Sequence, residues 1–134
     1  MRWVMREVHG CTMVVRDDAG RLLLVRHTYG PRCWSLPGGG MKAHEDPLET
    51  ARRELGEELG CSISGASLAG IQQDTFFGVP HHVNVVTGAI AGDPAPDGRE
   101  VMEARFFALD ALPADMTGTV YRRLEALGGA LQQR

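Results

Sequence analysis

Apolar runs separated by polar, glycine-containing segments predict six β-strands along this chain. The predicted strands cover residues 11–16, 21–27, 34–36, 67–77, 83–90 and 104–109. The first two flank an Asp-Asp-Ala-Gly sequence at 17–20, which is a turn by composition, so they are expected to pair as a hairpin. The second strand contains the unbroken run Leu-Leu-Leu-Val, which is typical of a strand covered on both faces.

Two other segments have the residue spacing of helices. Asp46 followed by Pro47 predicts a helix start, because Asp is a favourable N-cap and Pro is tolerated at the first helical position. Glu49 is placed to complete a capping box, and the helix is expected to end near Leu59, before Gly60. A second helix is predicted near the C-terminus, where apolar residues recur at spacings of four, three and four: Val120, Leu124, Leu127 and Leu131.

The order β-β-β-α-β-β-β-α predicts a mixed α/β fold with helices on both faces of a sheet. A chain of 134 residues has the size of one domain with a single core, so residues 1–134 are expected to form one domain. Its 43% of hydrophobic and 23% of charged residues are ordinary for a globular protein, which gives no reason to expect disorder or a fibrous fold.

The net charge and the cysteine content indicate which binding partners and which cellular compartment to expect for this protein. A net charge of −3 argues against non-specific binding to nucleic acid or a membrane surface, so we expect no stable nucleic-acid partner and no membrane partner. No apolar stretch approaches the roughly 18 residues of a membrane span. Three scattered cysteines, Cys11, Cys33 and Cys61, form no disulfide or zinc pattern and predict a reducing, cytoplasmic location.

Acidic side chains concentrate on one stripe of the first predicted helix. At about 100° per residue, Glu54, Glu57 and Glu58 project to the same side. Three like charges repel one another unless a cation neutralises them, so we predict a Mg²⁺ site, with Mn²⁺ as the alternative ion. Arg53 can pair with Glu57 four residues later, and Glu45 can reach the same place from the preceding loop. A neighbouring stripe is apolar and can face a core: Leu48, Ala51, Leu55 and Leu59.

Glutamate-rich helix faces are commonly no more than solvated surface, so the spacing of the residues decides between the two interpretations. The sequence G-x5-E-x7-R-E-L-x-E-E-x-G runs from Gly39 to Gly60. At about 7% usage per residue type, seven fixed matches arise by chance on the order of 10⁻⁸ times per starting position. The pattern resembles the Nudix hydrolase signature, G-x5-E-x7-R-E-U-x-E-E-x-G-U, where U is a bulky aliphatic residue. Cys61 departs from it at the last U but is still apolar.

The resemblance implies a Nudix α/β/α sandwich with a mixed sheet, formed by a single Nudix hydrolase domain over residues 1–134. It also implies metal-dependent hydrolysis of a phosphoric anhydride bond in a nucleoside diphosphate linked to another moiety, by water attack on phosphorus. Glu54, Glu57 and Glu58 are then the metal ligands. Glu45 either braces the loop or reaches the metal through water, and Gly39 lets the backbone pass close to the metal and the diphosphate.

The same resemblance assigns further catalytic roles. Arg53 is expected to orient Glu57. The general base stays open between Glu54 and Glu100, because a Glu-x-x-Glu pattern precedes the last strand in many Nudix proteins; Glu103 is the next choice after Glu100. A structural role at the start of that strand is the alternative for both of these outer glutamates.

Several side chains are candidates for contacts with a nucleotide substrate. Relatives of this kind use the loop after the second strand to border the substrate cleft, which suggests phosphate or base contacts there; ordinary loop and edge positions are the alternative. The candidates are Arg26, His27, Tyr29 and Arg32. Phe76, like Trp34 and Phe77, is a candidate to stack on a base, but a position in the core is the expectation for each.

Two family markers of substrate choice are missing downstream of the signature. ADP-ribose enzymes have a proline about fifteen residues on, and dinucleoside polyphosphate enzymes have a tyrosine nearby, whereas this chain has Phe76, Phe77 and Gly78 there. The chain therefore looks most like a pyrophosphatase of nucleoside triphosphates or modified nucleotides. Two alternatives stay open: a non-catalytic Nudix-fold sensor that binds a ligand, and a hydrolase of a non-nucleotide diphosphate.

Two remaining features concern a metal and a partner. His81 and His82 suggest metal binding, but two adjacent residues are awkwardly placed to bind one ion, so we do not expect the pair to be ligands. Relatives of this kind often form homodimers, and residues 1–8 are candidates for such a contact.

Overall fold

The computed structural model of this chain describes residues 7–128, in which six strands and two α-helices occur in the predicted order. The strands are β1 (Val8–Arg16), β2 (Leu22–His27), β3 (Gly38–Gly40), β4 (Ser64–Phe76), β5 (Val79–Ala89) and β6 (Val101–Phe107). The helices are α1 (Pro47–Leu59) and α2 (Gly118–Leu124), and α2 continues into a 3₁₀ turn at Glu125–Leu127. The N-terminal residues 1–6 considered for a dimer contact, and Leu131, lie outside the described residues.

The strands form one mixed sheet in the order β4-β5-β1-β2-β6, and β3 pairs with β1 beside this path. β1 and β5 are parallel, with a register from Val8↔His81 to Arg16↔Ala89, whereas the remaining pairs are antiparallel. The predicted mixed α/β fold is confirmed. Of the helices in residues 7–128, none has the length and hydrophobicity that crossing a membrane requires.

β1 and β2 separate directly after their turn, and a following segment fills the space between them. Their ladder has one pair of facing residues, Arg16↔Leu22. Further along, Val25 exchanges two backbone hydrogen bonds with Ser35, at 2.8 and 2.9 Å, and the amide of Met13 donates to the carbonyl of Pro37 at 2.9 Å. The predicted hairpin is therefore open, and the chain that leads into α1 lies in its gap.

The third strand is displaced from its predicted position. Residues 34–36 make only isolated bridges, and Gly38–Gly40, which no strand was predicted to include, pairs with β1 instead. The physical reason is the size of glycine: a Cβ on Gly38 would lie 2.7 Å from the carbonyl oxygen of Cys11. The composition gives no sign of this strand, because glycine is depleted in strands.

β5 begins at Val79, earlier than the predicted residue 83. The turn between β4 and β5 has two residues, Phe77 and Gly78, with φ of 52° and 77°. Two consecutive positive φ values are typical of a type I′ hairpin, whose twist matches that of the flanking strands. The segment 79–82, expected to be a loop, consequently belongs to the strand, and this places His82 in register with β1.

The core has one cluster on each face of the sheet, as the predicted sandwich requires. Alternate residues of β1 face opposite sides: Met13 and Val15 pack with α1, whereas Val14 packs with α2. The run 22–25 of β2 is fully buried, which confirms that this strand is covered on both faces. From α1 the buried apolar residues are Ala51, Leu55 and Leu59, with Leu48 partly buried. Period-two alternation in the strands thus distributes apolar side chains to both layers.

The caps of α1 form as predicted. The Asp46 side chain accepts a hydrogen bond from the amide of Glu49 at 2.8 Å, and the Glu49 side chain accepts one from the amide of Asp46 at 2.9 Å. At the other end, Gly60 adopts φ of 64°, and its amide bonds to the carbonyl of Gly56. Both ends of the helix are therefore defined by local sequence.

Gly56 inside α1 and Gly60 at its C-terminal cap provide a matched test of this account. A Cβ on Gly56 would meet nothing within 4 Å, whereas Gly60 has the left-handed φ that a Cβ disfavours. We expect Gly56→Ala to raise the free energy of unfolding by about 0.5–1 kcal/mol and Gly60→Ala to lower it by about 1–2 kcal/mol. Urea unfolding followed by circular dichroism measures both; a stabilising Gly60→Ala would contradict the assigned cap.

Candidate active site

The acidic stripe of α1 faces a cleft of about 450 Å³. One wall comes from the helix, and the other comes from the loop that leads into β6. The lining residues are Arg53, Glu54, Glu57, Glu58, Asp97, Arg99 and Glu100. The structure therefore brings the three predicted helix glutamates together with Glu100, which lies more than forty positions later in the chain.

The guanidinium of Arg53 connects most of these carboxylates. It donates to both oxygens of Glu45 at 2.6 and 2.9 Å, to Glu54 at 2.9 Å and to Glu57 at 3.1 Å. A further bond at 3.1 Å reaches the carbonyl oxygen of Gly40 in β3. The predicted pairing of Arg53 with Glu57 is present, but it is one of several. These bonds raise the pKa of Arg53, with Glu45 as the largest cause.

Glu45 is fully engaged by its neighbours. Besides Arg53, it accepts hydrogen bonds from the backbone amide of Lys42 at 2.8 Å and from the hydroxyl of Thr50 at 3.0 Å. These contacts, with Arg53 first, lower the pKa of the Glu45 carboxyl to about 2. Of the two roles considered for Glu45, this geometry is that of a brace between loop and helix. Thr50, which is fully buried, was not recognised in the sequence.

Glu58 is the carboxylate whose negative charge is not compensated by a neighbouring cation among the described residues. Only 5% of the residue is exposed, and its Oε1 is buried without a hydrogen-bond partner among the described residues. Burial is the first cause of a pKa raised to about 9, followed by the nearby carboxylates of Glu54 and Glu100. A buried oxygen donor among like charges fits a hard divalent cation such as Mg²⁺, because oxygen ligands are what that ion prefers.

Gly39 is required by the position of Glu54. A Cβ on Gly39 would lie 2.4 Å from the carboxyl carbon of Glu54, whereas a Cβ on Gly40 would meet nothing within 4 Å. The backbone of β3 thus passes directly beside one predicted metal ligand. Of the three consecutive glycines, this is the one that the sequence pattern singled out.

The loop before β6 is fastened to the end of α1, and this loop carries Glu100. The amide of Asp97 donates to the carbonyl of Glu58 at 2.9 Å, and the amide of Ala95 donates to that of Leu59 at 2.8 Å. The Asp97 side chain accepts from the consecutive amides of Arg99, Glu100 and Val101 at 3.0–3.1 Å. In the sequence, residues 91–98 lie between two predicted strands and belong to no predicted element.

Asp97 and Arg99 line the cleft but were not selected from the sequence. The sequence did contain an indication of this turn. Asp97 is followed by Gly98, and an Asp-Gly pair is typical of a turn in which the Asp side chain accepts hydrogen bonds from later backbone amides. The same amides lower the pKa of Asp97, with that of Val101 as the first cause. No local pattern indicated that this turn would lie against α1.

Three of the four residues predicted at the end of β2 and in the following loop lie near the chain segment 100–102. His27 Nδ1 is 3.3 Å from the Glu100 carbonyl oxygen, and Arg32 contacts the sulfur of Met102 at 3.7 Å. Partial burial raises the pKa of Tyr29, with the negative charge of Glu100 as the next cause. These residues are therefore neighbours of the loop that carries Glu100, although they do not line the cleft themselves.

Arg26 and Phe76 have other neighbours. Arg26 pairs with Glu103 at 3.0 Å and with Asp115 at 2.6 Å, and its guanidinium stacks 4.4 Å above the ring of Trp34. Phe76 lies at the β4–β5 turn and packs edge-on against His81. Like the other three candidates, neither is among the residues that line the cleft. Phe76 and Phe77 are exposed and Trp34 is buried, so the expectation of a core position holds for Trp34 alone.

Comparison with known proteins agrees with this geometry. A model of the NUDIX domain matches residues 8–127. An RNA pyrophosphohydrolase of Saccharophagus degradans is 38% identical over 61 residues, which cover 46% of this chain and 36% of that protein. A putative 8-oxo-dGTP diphosphatase of Bacillus subtilis is 29% identical over 116 residues, covering 86% of this chain and 76% of that protein.

Among solved structures, a MutT NUDIX hydrolase from Burkholderia pseudomallei superposes with a TM-score of 0.79 at 28% sequence identity. The superposition covers 91% of this chain and 98% of that one. The chain spans about a third of the length of the RNA pyrophosphohydrolases that it matches. The fold is thus shared over most of both chains in the structural comparison. The sequence similarity to the longer RNA pyrophosphohydrolases covers only part of their length.

Gly39 and Gly40 form a matched pair for testing the site. We expect Gly39→Ala to displace the Glu54 carboxylate and to weaken Mg²⁺ binding at least tenfold, because the new methyl group occupies its position. Gly40→Ala should bind Mg²⁺ as the unaltered protein does. Isothermal titration of EDTA-treated protein with Mg²⁺ measures both, and equal affinities in the two variants would contradict the role of Gly39.

The raised pKa of Glu58 predicts how stability depends on pH without metal. Between about pH 4.5 and about pH 9 the native Glu58 carboxyl retains a proton that the unfolded chain releases. The free energy of unfolding in EDTA should therefore fall as pH rises through this window, and Glu58→Gln should reduce the slope. Urea unfolding at several pH values tests this; an unchanged slope in Glu58→Gln would assign the dependence to other groups.

Proposed function

Because this chain belongs to the NUDIX domain family, we propose that it is a metal-dependent hydrolase of a phosphoric anhydride bond. Its substrate is a nucleoside diphosphate linked to another moiety, with a nucleoside triphosphate or a modified nucleotide as the preferred class. The observation that carries this proposal is the convergence of Glu54, Glu58 and Glu100 in one cleft, where a buried Glu58 oxygen has no partner among the described residues.

We assign Glu54, Glu57 and Glu58 as ligands of Mg²⁺, with Mn²⁺ as the alternative. When bound there, the ion would neutralise the anhydride oxygens and acidify water. Arg53 orients the side chains of Glu54 and Glu57 through hydrogen bonds of 2.9 and 3.1 Å. Glu45 accepts a hydrogen bond from the Arg53 guanidinium and so fixes its position. Arg53 is thus a positioning residue for two carboxylates, beyond the single pairing predicted from the sequence.

A general base has to accept a proton from the attacking water, and we propose Glu100. Glu54 is already committed to Arg53, whereas the Glu100 side chain forms no ion pair within residues 7–128. Its backbone is held by Asp97 and by the Thr28 amide, which donates to the Glu100 carbonyl at 3.0 Å. Glu54 is the alternative base. Glu103 is less suited, because it pairs with Arg26.

The anionic part of the substrate needs positive groups beside the acidic cleft. Arg99 lines the cleft and, in the described part of the chain, has no ion-pair partner, so it is available to a phosphate. His27, Tyr29 and Arg32 border the same side and are proposed for phosphate or base contacts. Phe76 is proposed only for a substrate that reaches the β4–β5 turn, and Arg26 for a structural role.

Compartment and domain organisation complete the proposal. We propose a cytoplasmic location, which is supported by three free cysteines: Cys11, Cys33 and Cys61. We also propose that residues 1–134 act as one domain, since the NUDIX match covers most of the chain. The small-molecule substrate is the partner that this arrangement favours.

A substitution in the cleft tests the activity. Glu57→Gln removes one charge from the metal ligands and should lower the rate of anhydride hydrolysis at least about 100-fold. Glu49→Gln is the matched control on the same helix, because glutamine can also complete the capping box. Cleavage of an inner anhydride bond gives a mononucleotide and a second phosphorylated product, so the assay follows the release of phosphorylated products by anion-exchange chromatography. The panel contains nucleotides, sugar nucleotides and polyphosphates, each with and without Mg²⁺.

The panel separates the three functions under consideration. Release from nucleoside triphosphates that requires Mg²⁺ and is lost in Glu57→Gln supports the proposal. Release restricted to non-nucleotide diphosphates would favour the second class of hydrolase. Ligand binding without release from any compound would favour the sensor, and wild-type turnover by Glu57→Gln would overturn the assignment of that residue.

A further inference from the structure

Two histidines and a glutamate meet at the beginning of β1, in a place that the cleft does not include. His9 of β1 and His82 of β5 face each other in the parallel register. Facing residues of neighbouring strands project from the same side of a sheet, and the two imidazole rings stack with centroids 4.8 Å apart and planes inclined by 15°. Glu7 Oε2 lies 3.9 Å from His9 Nε2 and 3.3 Å from His82 Nε2.

His82 has a polar atom that its surroundings leave unsatisfied. Its Nε2 is buried and makes no hydrogen bond within residues 7–128, although the Glu7 oxygen is near. The side chain as a whole is 18% exposed, so bulk water reaches it poorly. A buried imidazole nitrogen without a partner costs free energy, which a ligand at this nitrogen would recover.

The separations of these atoms are close to those of a metal coordination shell. Ligand atoms at about 2.1 Å from Zn²⁺ in a tetrahedron lie about 3.4 Å from one another. Here two of the separations are 3.3 and 3.9 Å, and all candidate ligand atoms lie within 4.8 Å of one another. Closing the shell requires rotation of the two more exposed side chains, Glu7 and His9, because the nearly parallel imidazole rings direct their nitrogen lone pairs alongside each other.

We propose that Glu7, His9 and His82 form a second metal site, which binds a borderline transition ion of the Zn²⁺ type and joins the start of β1 to β5. Two imidazole nitrogens favour such an ion over Mg²⁺, and water takes the fourth position. The expectation that adjacent histidines do not share an ion holds: His81 packs against Phe76, and the partner of His82 comes from another strand.

The test uses the full chain without a histidine tag, after EDTA treatment. Zn²⁺ is titrated calorimetrically in excess Mg²⁺, which competes at sites made only of oxygen donors. We expect saturable binding with one ion per chain, weakened at least tenfold in His9→Ala, His82→Ala and Glu7→Gln. His81→Ala is the matched control, because it removes the adjacent histidine and should leave the affinity unchanged. Co²⁺ should give a visible absorption spectrum that is lost with the same three variants.

Thermal unfolding provides a second readout. Zn²⁺ should raise the melting temperature of the unaltered protein and of His81→Ala, but not that of Glu7→Gln. Glu7 is more than half exposed, so its replacement does not threaten folding. Absence of saturable Zn²⁺ binding, or wild-type affinity in Glu7→Gln and His82→Ala, would overturn the proposal. Nucleotide hydrolysis with Mg²⁺, measured on the same samples, reports separately on the proposed hydrolase.

Discussion

The arrangement of the cleft depends on the hydrogen bonds that the guanidinium of Arg53 donates. It joins the loop through Glu45, the helix through Glu54 and Glu57, and β3 through the carbonyl of Gly40. Arg53, Glu45 and Glu54 have 22%, 15% and 12% of their side chains exposed, so the charge-assisted bonds among these three are weakly screened by solvent. The bond to Glu57, which is 56% exposed, is screened more strongly. Glu58 lies outside this network, and it is the carboxylate for which a bound cation would supply the missing positive charge.

The position of the cleft follows from an irregularity of the sheet. β1 and β2 pair only next to their turn, and the chain that follows β2 passes through the gap before it enters α1. This passage requires two close approaches, one of Gly38 to the backbone of β1 and one of Gly39 to Glu54. Glycine is the residue that permits both, because a Cβ would overlap in each case. The same glycines therefore serve the packing of β3 and the placement of the Glu54 carboxylate.

The two proposed metal sites differ in the chemistry of their donors. The cleft supplies carboxylate oxygens from a helix and a loop. Such donors suit a hard ion that also binds the phosphate oxygens of a substrate. The site between β1 and β5 supplies two imidazoles and one carboxylate from paired strands, which suit a borderline ion held in a more fixed position. The two donor sets therefore favour different ions, and an ion at the strand site would join β1 to β5 outside the cleft.

The sequence by itself determined the features that depend on residues close together in the chain. These are α1 with its capping box and Gly60, its acidic and apolar stripes, the alternation of the strands, and the pattern from Gly39 to Gly60. The tertiary structure decided which neighbouring carboxylate is buried: Glu57 stays largely exposed, whereas Glu58 is enclosed. It also engaged Glu45 with Arg53, fastened the Asp97 turn to α1 and brought His9 beside His82. Burial and partner choice depend on contacts between distant parts of the chain, and local periodicity carries no information about them.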